Sequence, residues 1–367
     1  MANYTEKMED SLFQLWSIEE DDYSTIKVIL NTEFRSFGDG LRDILATKYG
    51  NSADPILFIR EKAEEQQVPL AAIGSLNTLK NWFNAGLRPK KGDASRQSMF
   101  ALAFALRLNI EETTALFHKV YLDRAFDFRE PMDVVAYYCL SNGRSWLDAQ
   151  SLLQQTGYSE WTDQTVYTQS LQRQVSGLHE DAELLAFLRR HQNNFTKRNI
   201  TAKQRLNSLL SKANLLAQRE LDDTSTDEHF KGSDRTSNSF TYEMIVGVSP
   251  SGESGTISLF KNVALPKEIR NRFPEAGSFS KKNPTYEELR KMIILIYSYI
   301  FWYQVQHQYH VVDLDDYIAE MNALLVECGF SEMYTGNPYD WMFMYCTLNE
   351  RPLDEFRGLL AEVLDAE

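Results

Sequence analysis

The chain has 367 residues, of which 43 % are hydrophobic, with 21 Phe, 18 Tyr and 6 Trp; this is enough apolar material for large cores in more than one domain and too much for a disordered chain. The formal net charge of −14 leaves no overall basic character, so any affinity for a polyanion must come from local patches. Three cysteines, Cys139, Cys328 and Cys346, form no Cys-x-x-Cys pair, and their odd number argues against a complete disulfide framework and fits buried thiols in a reducing cytoplasm.

Residues 1–50 alternate acidic stretches with apolar positions at helical spacing, as in Leu12, Leu15 and Trp16 and again in Ile26, Ile29 and Leu30, which predicts two or three helices. Glu6, Glu9 and Asp10 stand where a secretory leader needs basic residues, so the expectation is a cytoplasmic chain. A break at Tyr49–Pro55 leads into Ile56–Gln67, whose Ile56, Ile59 and Ala63 share one helix face. Pro69 suits the first turn of a short second helix ending near Gly74, because it lacks only a donor that would be unbonded there. A third helix begins after Ser75. Its hydroxyl can cap the helix, Leu79 and Trp82 face inward, and Gly86 permits a left-handed exit. Asn77, Thr78, Lys80 and Asn81 are then the outward positions. A loop rich in Pro, Lys and Gly (88–95) precedes a helix with Met99, Leu102, Ala103 and Leu106 inward, and another spans 111–121.

Thr78, Leu79, Trp82, Gly86 and Pro89 occupy the places of the Thr-apolar-x-x-aromatic core and its Gly and Pro stop in the lambda-repressor/Cro-like family of helix-turn-helix domains, which residues 56–117 resemble. The space between Val68 and Thr78 predicts a second helix about one turn shorter than is usual in that family. The resemblance implies a double-stranded DNA partner and transcriptional regulation. Asn can pair bidentately with adenine and Thr can meet a thymine methyl, so Ser75, Asn77, Thr78, Lys80 and Asn81 form the candidate reading edge, with Arg88, Lys90, Lys91 and Arg96 as phosphate contacts.

Further along, 180–191 and 201–220 read as helices, 221–240 as a flexible polar linker, Met244–Val246 and Ile257–Phe260 as a small β-hairpin near 240–260, and 285–306 as a long buried helix. A shift of 207 residues superposes Pro131, Asp133, Tyr138-Cys139, Asn142, Arg144 and Leu152-Leu153 on Pro338, Asp340, Tyr345-Cys346, Asn349, Arg351 and Leu359-Leu360. One residue of slip upstream also aligns Glu112 and Leu116-Phe117 with Glu320 and Leu324-Leu325. This predicts a duplicated helical hairpin, with a weaker third copy over 99–117. The expected architecture is mainly α: N-terminal helices (1–55), a helix-turn-helix bundle (56–125), a helical domain (126–220), a linker (221–240) and a C-terminal helical domain (241–367) carrying the hairpin duplicated from 112–153.

The charge is unevenly placed: +5 over 73–107, +7 over 189–220 and −11 over 311–367. His307 and His310 lie near Asp313, Asp315 and Asp316, but a metal-binding His-Glu-x-x-His pattern is missing and helix-end histidines are the simpler reading. Cys139 and Cys346 fall on apolar helices, where inert thiols belong. Ser249–Thr256 lacks the Gly-Lys-Ser/Thr ending of a phosphate loop. The most apolar stretch, 292–303, is too short for a bilayer, which needs about 20 residues. The expectation is therefore a non-enzyme without cofactor, metal or membrane, binding DNA. The alternative is a helical scaffold that meets a protein partner, or a second copy of itself, through stacked hairpins.

Overall fold

The computed structural model describes residues 25–26, 29, 34, 36–50, 53–89, 93–155, 168–191, 200–223, 238–246, 284–308 and 313–364, and these are helices and their connections with no strand among them. No helix among the described residues is long and apolar enough to cross a membrane. The chain divides into two compact units, an N-unit of residues 35–198 and a C-unit of residues 199–367 together with 1–34.

The N-unit holds α1 (Phe37–Tyr49), α2 (Pro55–Glu65), α3 (Leu70–Ile73), α4 (Leu76–Asn84), α5 (Asp93–Ala105) and α6 (Ile110–Ala115). A π-helical turn (Leu116–Tyr121) continues α6, and α7 (Pro131–Ser141), α8 (Trp146–Gln154), α9 (Thr168–Ser176) and α10 (Asp181–Arg190) follow. The starts are set by local chemistry: Asp54 accepts the amides of Ile56 and Leu57 ahead of Pro55, and Asn109 and Glu112 exchange side-chain bonds in a capping box. Helix α5 is the hub. It meets α2, α3, α7 and α8, and its Met99–Leu106 run is buried on every side. The expected boundaries at 55 and 125 both fall inside this unit, because α1 packs on α4 and on the π-turn while α7 packs on α5.

The C-unit holds α11 (Ile200–Asp223), α12 (Asn238–Val246), α13 (Tyr286–Gln308), α14 (Leu314–Glu327), α15 (Pro338–Thr347) and α16 (Pro352–Leu364). Helix α13, with Met292–Ile296, Tyr299 and Trp302 buried, lies against α11, α14 and α16. Met244–Val246 is helical rather than a strand. A short apolar run does not by itself separate a strand from a helix buried on several faces, and α12 packs on both α11 and α16. The second run of the expected hairpin, 257–260, lies outside the described residues, as does 224–237 of the expected linker.

The two units share a set of hydrogen bonds at matching positions. Asp133 on α7 and Asp340 on α15 are both buried, and each receives a buried arginine, Arg96 from α5 and Arg290 from α13. The Arg96 fork also donates to the carbonyls of Arg124 and Ala125 (2.8 Å each); Arg290 donates to the carbonyls of Ser331 and Glu332 (3.2 and 3.1 Å), which are the same positions displaced by 207. The second carboxylate oxygen accepts the amide of Asp127 in one copy (2.6 Å) and of Tyr334 in the other (3.0 Å). Asn142 and Asn349 each turn back to donate to the carbonyl of Tyr138 and Tyr345. The repeat is thus four helices, α5–α8 and α13–α16, rather than a hairpin. The stretch 99–117, expected as a third copy, is the first half of the N-unit copy.

A buried ion pair stripped of one partner leaves an uncompensated charge, which costs about 3–5 kcal/mol. Arg96→Met is expected to lower the stability of the N-unit, and Arg290→Met that of the C-unit, by that amount in urea unfolding. A loss under about 1 kcal/mol would show that neither fold depends on its pair.

Candidate nucleic-acid interface

The α4 region is built as its sequence predicts. Ser75 Oγ accepts the amide of Thr78 (3.1 Å) and lies 2.9 Å from Thr78 Oγ1, so the cap also fixes the Thr78 side chain. Leu79, Trp82 and Phe83 are buried. At the far end the amides of Ala85 and Leu87 both return to the Asn81 carbonyl, and Gly86 takes the left-handed conformation (φ 62) that ends the helix. Asn77, Lys80 and Asn81 are exposed and share one edge at i, i+3 and i+4; Ser75 is also exposed and Thr78 half-buried.

Helix α1, absent from the expected reading unit, holds α4 in place. Phe37 meets Trp82 edge to face at 5.0 Å, and Arg42 donates to the Phe83 carbonyl (2.9 Å) at the α4 C-terminus while its guanidinium lies 5.2 Å from the Phe83 ring. The Ser36 hydroxyl, and after it the Arg42 charge, hold the Asp39 carboxyl below the usual carboxylate range against the opposing effect of burial. Gly38 permits the close approach: a Cβ there would sit 2.3 Å from the Trp82 carbonyl oxygen and 2.9 Å from Phe83 Cα. The sequence signal for this was available in the aromatic Phe37 beside Gly38, but nothing local says which helix that pair meets.

The expected phosphate contacts fare differently. Arg96 is buried in its pair with Asp133 and is withdrawn from the surface, because its charge serves the fold. Arg88 is half-buried and donates to the Val120 carbonyl of the π-turn, so it too points into its own unit. Lys90 and Lys91 lie outside the described residues. The second basic stretch, 189–220, is divided between the two units; Arg189 and Arg190 are exposed on α10, and Arg205 on α11 pairs with Glu327 of α14 (Nε–Oε1 2.9 Å). Part of the acidic C-terminal charge thereby meets the basic helix within the C-unit.

His307 donates from Nδ1 to the Tyr303 carbonyl (2.9 Å) and stacks on the Tyr303 ring at 4.0 Å, while His310 lies outside the described residues. Among the described residues no group of three or more His, Cys, Asp or Glu is placed to hold a metal ion. Comparison with protein-family models, with curated proteins and with solved structures returns no match.

Gly38→Ala is expected to destabilise the N-unit by about 1–3 kcal/mol, as overpacking against backbone does, and urea unfolding of the full chain measures it; an unchanged midpoint would mean that α1 and α4 separate freely. Burial pushes the Cys139 and Cys328 thiols up to about 12 and holds Cys346 well above the usual thiol range. All three should resist iodoacetamide at pH 7.5 in the native chain and react only on unfolding, since the thiolate is the nucleophile.

Proposed function

We propose that the chain is a DNA-binding protein of the transcription-regulator kind and that α4 of the N-unit enters the major groove of double-stranded DNA. One observation carries the reading: Asn77, Lys80 and Asn81 form a polar, exposed edge on a helix that is capped at Ser75, buried through Leu79 and Trp82, and pinned at its end by Arg42. A reading helix needs this combination, because side chains that discriminate base edges must be held still by the elements beneath them. Lys80, exposed on the same edge, supplies the positive charge that phosphates favour. Arg96 takes no part in binding.

A second reading rests on different atoms. Leu76 at the start of α4 and Leu87 just past its end are 45 % and 40 % exposed, and Leu57 on α2 is 43 % exposed. Apolar side chains around a polar edge suit a protein partner better than a phosphate backbone. Under that reading the helical units act as a scaffold.

Salt-titrated binding to random duplex DNA separates the two. The DNA reading expects measurable binding at low salt, with log K falling linearly as log salt rises. Absence of binding at 50 mM salt would favour the scaffold. On a selected site, Asn81→Ala is expected to cost about 1–3 kcal/mol of discrimination at one base pair while leaving random-sequence affinity within twofold. Equal losses on both DNAs would contradict base reading by this residue.

A further inference from the structure

From the end of α6 onward the two copies of the repeat keep one register except for a single inserted residue in the N-unit, and that residue falls beside the candidate interface. Leu116-Phe117 match Leu324-Leu325 at an offset of 208, but Leu122 matches Gly329 at 207. Leu122 is left-handed (φ 58), as Gly329 is (φ 79). Between these points the N-unit helix widens into the π-turn, whereas α14 remains α-helical to Glu327. The Asp123 amide returns to the carbonyl of Phe117 (2.9 Å), six residues back; the matching Phe330 amide returns to Leu325 (2.8 Å), five back. A π-turn is how an α-helix absorbs one inserted residue, and such turns concentrate at functional sites.

The inserted turn presents Val120 to the elements that carry α4. The Val120 side chain lies against α1, where a Cβ on Gly40 would be 3.0 Å from Val120 Cγ2. The Val120 carbonyl is one of those that a helix C-terminus leaves without an intrahelical donor, and it accepts the Arg88 guanidinium. Arg88 follows α4 by four residues, and the next residue, Pro89, is buried. At the matching position the other copy has exposed Glu327, paired with Arg205. The place that carries a surface ion pair in the C-unit is a carbonyl docking point in the N-unit.

We propose that the π-turn is a docking platform for the segment leaving α4, and that Arg88 is a positioning residue that latches this segment to the Val120 carbonyl instead of neutralising a phosphate. Together with Arg42 on the Phe83 carbonyl, the latch sets the angle at which α4 presents Asn77 and Asn81. The inference rests on the DNA-binding reading only for its consequence on affinity; the latch itself has a test that needs no DNA.

The test uses the full chain with Arg88→Gln and Arg88→Lys. Hydrogen exchange of amides 84–88 is expected to accelerate about tenfold in the Gln variant, the scale of one lost charge-assisted hydrogen bond, and to return toward wild type in the Lys variant, which restores a charged donor. Exchange in α7 should not change. Unchanged exchange at 84–88, or equal acceleration in α7, overturns the latch. Salt-titrated DNA binding then distinguishes position from charge: Arg88→Gln should lower affinity with the slope of log K against log salt preserved, whereas a phosphate contact would reduce that slope by about 0.9. A reduced slope overturns the positioning role. If the wild-type chain binds no DNA at low salt, the functional reading falls, while the exchange experiment still decides the latch.

Discussion

Each unit of the chain is organised around one guanidinium held between a carboxylate and two backbone carbonyls. Taking Arg96 and Asp133, or Arg290 and Asp340, out of water is costly, and the cost is offset only when nearly every donor and lone pair finds a partner. Here the partners are dispersed: the arginine comes from one helix, the aspartate from another, and the carbonyls and an amide from the connection between helices. Satisfying the charge therefore fixes three segments at once, including a connection that has no regular structure to stabilise it. The aromatic residues around Arg96, with Phe100 and Phe117 rings 5.6 and 5.0 Å from its guanidinium carbon, pack on the same group.

The candidate interface is an outgrowth of this arrangement. Helix α4 packs on α2 and is braced by α1, and the π-turn receives the segment beyond it. Cations that look alike in sequence divide by what lies next to them. Lys80 stays in solvent, Arg42 and Arg88 serve carbonyls at helix ends, and Arg96 neutralises a core aspartate. Carbonyls at a helix C-terminus carry partial negative charge and attract cations, so a basic residue near such an end has an internal partner competing with any ligand.

Much of this was legible in the residues. The cap at Ser75, the inward Leu79 and Trp82, the left-handed Gly86 and the short helix after Pro69 all follow from local chemistry, and each is found. The 207-residue offset and its one-residue slip were also visible, and the slip has a physical cause in the π-turn. What stayed hidden is long-range. Arg96 lies 37 residues before its aspartate and Arg290 lies 50 before its own, so no single offset aligns the two arginines, and Arg96 read as surface charge. The helical state of Met244–Val246 depends on helices packing from two directions, which the run itself does not encode. The role of α1 in holding α4 depends on which helix Gly38 approaches.

The difference in those two separations has a mechanical meaning. In both units the clamped arginine stands within the first turns of its helix, and the helix runs on from that fixed point, to Ala105 in one unit and to Gln308 in the other. The added length in α13 carries Trp302, whose indole donates to Thr347 on α15 (2.9 Å), and Tyr299, whose hydroxyl donates to Glu220 on α11 (2.9 Å). Anchoring a rod near one end leaves its other end free to grow. A single ionic anchor thus lets one scaffold support cores of different depth: the helix beyond the anchor can lengthen, and the added residues recruit their own neighbours without disturbing the origin from which they are measured.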